Sequence, residues 1–119
     1  MTRLELRRLA FRATRNPKEW LPVLQDALLE HYGEEFERAI ARAREIASES
    51  LARTYVAVVY DPAPRPFRGK PGAAFSVASY VRPEDLDFAQ PNSRARQLAQ
   101  QGRAFVFIVP GSHPGYSGR

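Results

Sequence analysis

The apolar positions along the chain change period more than once, and each change marks an element. Over residues 2–14, Leu6, Leu9, Ala10 and Ala13 share one side of a helical wheel. Arg7, Arg8, Arg12 and Arg15 lie on the other side, with Leu4 and Phe11 among them. Asn16-Pro17 ends this helix, because the residue before proline avoids the α region. A turn over 16–19 and a helix over 19–32 are expected next, so that Pro22 falls near the first turn, where amides lack partners anyway. Trp20, Leu24, Ala27, Leu28 and His31 form its apolar side, and Gly33 stops it. Residues 34–53 give the clearest helical stripe: Phe36, Ala39, Ile40, Ala43, Ile46, Ala47, Ser50 and Leu51. Glu34–Arg38 and Glu49–Arg53 are spaced as i,i+4 pairs, and the acids of the first turn suit the helix dipole.

The period then shortens. Thr54–Tyr60 is apolar on both sides and rich in β-branched and aromatic residues, as in a strand covered on both faces. Residues 61–72, DPAPRPFRGKPG, hold four prolines and two glycines, which favours extended irregular chain. Ala73–Val81 alternates as a second strand, with Phe75, Val77, Ser79 and Val81 on one side. A turn follows, then a short helix capped by Asn92 or Ser93 and closed by Gly102, then a third strand over Arg103–Val109. The predicted fold is α+β: N-terminal helices packed on a small, mostly antiparallel sheet of about three strands. A long Pro-rich loop joins the first two strands. The 119 residues fit one domain, with a basic helix or arm at 1–15 and an irregular tail at 110–119 that a neighbouring subunit could hold.

Charge adds a partner class to that outline. The net charge is +5, and residues 1–15 hold five arginines against one glutamate. Such a balance favours anionic partners at long range: nucleic acid, acidic protein faces or anionic lipid. Of the 18 cations, 16 are arginine, which binds phosphate and carboxylate in a planar fork better than lysine does. Codon usage in a GC-rich genome explains the same bias without function. No apolar run reaches membrane-spanning length, so no membrane partner is expected. No apolar core follows the basic N-terminus, so no secretory signal is expected either. With no cysteine, there is no disulfide and no thiolate ligand, which is compatible with the cytoplasm or a virion.

Few residues carry chemistry. His31 and His113 lack a second ligand at metal spacing. Glu84, Asp85 and Asp87 read better as a solvated turn than as a site for a hard cation. Ser112 beside His113 is not a nucleophile elbow, and FRGKPG is not a phosphate-binding P-loop. No cofactor, no metal and no small-molecule substrate is expected. A nuclease of the toxin type could draw on Tyr60, Arg65, Arg68, Tyr80 and Arg103, although their spacing does not demand it. Contact with a partner falls on Arg65, Phe67, Arg68 and Lys70 of the loop, where cations surround an aromatic, and on Arg3, Arg7, Arg8 and Arg12 of the first helix.

The order of elements over residues 34–109 (helix, strand, long loop, strand, helix, strand) resembles that of small phage head–tail joining and tail-completion proteins. The resemblance rests on layout, with no residue motif behind it, and the extra N-terminal helix pair departs from it. It implies a ring-forming virion component whose loops reach neighbouring subunits or a DNA-lined channel. The expected function is therefore a non-enzymatic structural protein of virion assembly that acts as a homo-oligomer or within a larger protein assembly. A small basic protein that binds DNA or RNA is the alternative, and a toxin-like ribonuclease a second one.

Overall fold

A computed structural model describes residues 1–114 of the chain. Three helices come first: α1 (Arg3–Arg15), α2 (Pro17–Tyr32) and α3 (Glu34–Glu49). Strands β1 (Tyr55–Tyr60), β2 (Phe75–Val81) and β3 (Ala104–Pro110) follow, with a 3-10 turn at Pro83–Leu86 and helix α4 (Arg94–Gln100) before β3. The sheet order is β2-β1-β3, and both pairings are antiparallel. The fold is α+β, with the N-terminal helices on one face of the sheet.

The core explains this layering. Leu6, Leu9, Ala10 and Ala13 of α1, Leu24, Ala27 and Leu28 of α2, and Phe36, Ala43 and Ala47 of α3 pack on Val56, Val58 and Tyr60 of β1. Ala57 and Val59, which point the other way, join Val81, Ala95 and Phe105 in a smaller cluster beneath α4 and Leu86. β1 is thus covered on both faces, which is why its sequence is apolar throughout.

Two bulges decide which side chains reach each face. Ser79 and Tyr80 together oppose Val56, and Tyr80 takes a left-handed φ of 55°. The extra residue turns Val81 away from Phe75 and Val77 to join Ala78 on the α4 side. Simple alternation, which places Val81 with Phe75, fails for this reason. A second irregularity, between Val58 and Val59, puts both Val106 and Phe107 of β3 on the helix side.

Several element ends also differ from expectation. α2 starts at Pro17, not near residue 19, so Pro22 lies inside it. The only bond lost is to the carbonyl of Lys18, an exposed residue of the first turn whose carbonyl water can satisfy. Inward packing at the end of α2 falls to Tyr32, while His31 is exposed. α3 stops at Glu49 rather than Arg53, so no i,i+4 pair forms there; Glu34–Arg38 does form, at 3.8 Å.

The segment after β3 accounts for that early stop. The amide of Ser112 donates to the Ala47 carbonyl, and that of His113 to the Ser50 carbonyl. The Gly111 amide reaches Thr54, and His113 accepts from the Ala52 amide in return. These bonds take up carbonyls at the end of α3 and hold Leu51 beside His113. Residues 111–113 are therefore held by hydrogen bonds from their own chain. The expected irregular tail beyond residue 114 lies outside the described residues.

Candidate functional site

The loop between β1 and β2 is itself a folded arm. Its base continues the ladder, with the Asp61 amide donating to the Ala74 carbonyl at 2.8 Å. Asp61 Oδ1 then accepts from the Ala63 amide at 3.0 Å and fixes a turn. At the tip, Phe67 and Lys70 exchange both backbone hydrogen bonds at 3.0 Å. Arg68 and Gly69 between them have φ of 50° and 75°, the signs of a type I′ hairpin turn. Gly72 is needed where the two sides meet: a Cβ there would lie 2.5 Å from the Arg65 carbonyl oxygen. The expectation of wholly irregular chain is thus corrected. Prolines set the sides of the arm, while an Arg-Gly pair closes its tip.

Phe67 is 71% exposed at that tip, with the Arg68 guanidinium 5.2 Å from its ring centre. Arg68 and Lys70 are exposed beside it. Arg65 lies nearer the base and faces a different surface. With Arg7 of α1 and Arg103 at the start of β3 it lines a concavity of about 660 Å³, together with Asp61, Pro62, Ala63, Gln101 and Gly102. Arg7 lies across the α4–β3 turn; its Nη2 is 3.4 Å from where a Cβ on Gly102 would sit. A second groove, of about 480 Å³, shares Arg7, Gly102 and Arg103 and runs along α1 past Leu4, Arg8, Phe11 and Arg12. Leu4 and Phe11 are 55% and 49% exposed within it. Arg12 also lies 5.1 Å above the Trp20 ring.

The predicted contact residues therefore divide. Arg7, Arg8, Arg12 and Arg65 share one continuous surface, while Phe67, Arg68 and Lys70 form the arm's tip. Arg3 lines neither concavity, and its charge acts on Tyr60. Asp61, Gln101 and Gly102 had no signal in the sequence. Arg103 was legible only as a nuclease candidate, since nothing local shows that β3 begins beside the arm's base.

The charges of this surface are poorly neutralised from within. Among the described residues, Arg7, Arg8 and Arg65 have neither a hydrogen-bonding nor an ion-pairing partner. Arg103 donates from Nη1 to Gln101 Oε1 at 3.1 Å. Its Nε lies 4.0 Å from Asp61 Oδ2, too far for a hydrogen bond, and is buried without another acceptor.

Beneath the arm's base, the Tyr32 and Tyr60 hydroxyls share a hydrogen bond of 2.9 Å. Burial pushes the Tyr60 phenol far above its ordinary range, the Tyr32 hydrogen bond adds to this, and Arg3 acts against it. An unfolded tyrosine ionises near pH 10 while folded Tyr60 keeps its proton, so the unfolded state binds fewer protons above that pH. Stability from this group is fully present below about pH 10 and should fall as pH rises further. Thermal melts from pH 8 to 11 test this: Tyr60→Phe should flatten the alkaline loss, and an unchanged slope would contradict it.

The other candidate chemistry does not converge. Tyr60 is buried, and Tyr80 lies toward the end of β2 away from the arm, so of the nuclease set only Arg65 and Arg103 share a surface. Ser112 gives its hydroxyl to the Ala47 carbonyl at 3.4 Å. Asp85 and Asp87 accept from the backbone amides of Arg82 and Ala89, and Glu84 lies 3.9 Å from Arg82. Among the described residues, no group of three metal-ligating side chains comes together, and no helix is long and apolar enough to cross a membrane. No family model, curated protein or solved structure matches the chain.

Proposed function

We propose that this protein is a non-catalytic assembly component that joins copies of itself, or neighbouring subunits, through the 61–74 arm. The observation that carries the reading is Phe67: a large apolar side chain, 71% exposed, held out on a folded hairpin rather than on loose chain. Seating such a ring in a neighbour's pocket is worth about 1.5–3 kcal/mol, and an arm already ordered loses little entropy on docking. The finer form of the reading is a phage head–tail joining or tail-completion component, working in a virion or in the cytoplasm before assembly. Its support is the order of elements from α3 to β3, with an inserted arm between adjacent strands.

Excising the arm tests this. Residues 62–73 are replaced by Asn-Gly, a sequence that closes a two-residue hairpin between Asp61 and Ala74. Sedimentation should show the full chain self-associating with rising concentration, or joining a partner subunit, and the shortened chain staying monomeric with an unchanged circular dichroism spectrum. A full chain that stays monomeric and unpartnered, or association that survives excision, would remove the reading.

A second reading, a nucleic-acid-binding protein, is favoured by a different observation. Arginines of three separate elements, Arg7, Arg65 and Arg103, line one concavity.

A further inference from the structure

Exposed arginines on a helix usually find carboxylates within a turn or two, or lie singly in water. Around α1 they do neither. The two adjoining concavities hold Arg7, Arg8, Arg12, Arg65 and Arg103 against one carboxylate, Asp61, in a chain whose net charge is +5. Asp61 is already engaged: one oxygen serves the Ala63 amide, and the other lies 4.0 Å from Arg103 Nε. It steadies Arg103 while leaving the surface cationic.

We propose that the Arg7–Arg65–Arg103 cleft holds a phosphate group of a nucleic-acid backbone, with the strand continuing along the α1 groove past Arg8 and Arg12. Planar guanidinium forks suit phosphate oxygens, and their approach from α1, the arm and β3 surrounds the anion on three sides. A lone phosphate would need only this cleft. The adjoining groove adds two further arginines and the exposed Leu4 and Phe11, which suits a chain of phosphates with sugars and bases between them. The proposal rests on the nucleic-acid reading and is independent of self-association through Phe67.

The test uses the full chain and three probes: a fluorescent single-stranded DNA oligonucleotide, inorganic phosphate, and poly-glutamate as an acidic chain without phosphate. DNA should bind with affinity that falls steeply with salt and should outcompete both other probes. Arg7→Gln and Arg65→Gln, each at an exposed side chain, should weaken DNA binding about fivefold to tenfold and lower the salt slope by about 1. Arg103→Gln should do the same, with circular dichroism checking its fold. Asp61→Asn keeps an oxygen for the Ala63 amide and removes the opposing charge, so it should tighten binding several-fold. Arg42→Gln, on an exposed part of α3, should leave binding unchanged. DNA affinity that survives Arg7→Gln and Arg65→Gln overturns the cleft and leaves a nucleic-acid reading standing. No DNA binding, or poly-glutamate binding as tightly as DNA, overturns both. Phosphate alone binding as well as DNA overturns the strand while keeping an anion site.

Discussion

Phe36→Ala is expected to lower the unfolding free energy by about 3–5 kcal/mol, the range for a fully buried phenylalanine that leaves a cavity. Phe36 is 0% exposed and stacks on Phe75, with ring centres 5.0 Å apart and planes 25° from parallel. Stacked ring contacts of this kind add to the stabilisation from buried area alone. Phe75 also meets Tyr32 edge-on at 5.0 Å and Tyr60 at 5.4 Å. One ring thus helps join the start of α3, the end of α2 and the first pair of the β1–β2 ladder, Tyr60 with Phe75. Urea unfolding followed by circular dichroism reads the loss. A change below about 1 kcal/mol would mean that the four-ring cluster does not carry the core. The same substitution should loosen the base of the arm, so the amides of Asp61 and Ala63 should exchange faster than in the parent protein.

Gly111→Val is expected to cost at least about 3 kcal/mol, and its cause is backbone proximity rather than cavity formation. A Cβ at Gly111 would press on the Leu51 carbonyl oxygen and lie 2.8 Å from that of Ser50. Both neighbours are backbone, so no rotamer change relieves them. Moving the strand end aside would break the Gly111–Thr54, Ser112–Ala47 and His113–Ser50 hydrogen bonds together. Carbonyls at the end of α3 would then have to find water. A large drop in melting temperature is expected, with fast amide exchange at Ser112 and His113. A melting temperature within 2 °C of the parent would show that this latch adds little.

These two positions mark a division in what the chain discloses. Phe36 is plain in the sequence, because it stands first in a helical stripe that any covered face would require. Gly111 reads only as part of a Pro-Gly turn, since its constraint comes from Leu51 and Ser50, far earlier in the chain. The arm falls between the two cases. Its length, prolines and cations are visible over residues 61–72, but its hairpin tip depends on a left-handed Arg68, which residue preference does not favour. The cleft was the least legible feature. Arg7 and Arg65 drew notice separately, one on a basic helix and one in a basic loop. Nothing local joins them, because their meeting depends on α1 lying across the turn at Gly102.

The sequence by itself determined the kind and order of the helices and strands and most of the core, though not the places of His31, Tyr32 and Leu51. Those follow from the period of apolar residues, and each element buries its apolar side wherever it docks. It also determined that the excess charge is arginine and that much of it lies before residue 16. Tertiary structure alone decided where α3 ends, which face Val81 joins, and that three arginines surround one concavity. Each of these depends on a bulge, a close backbone approach or a contact between distant segments. The energies concerned are settled between elements, and no short stretch of chain contains both partners.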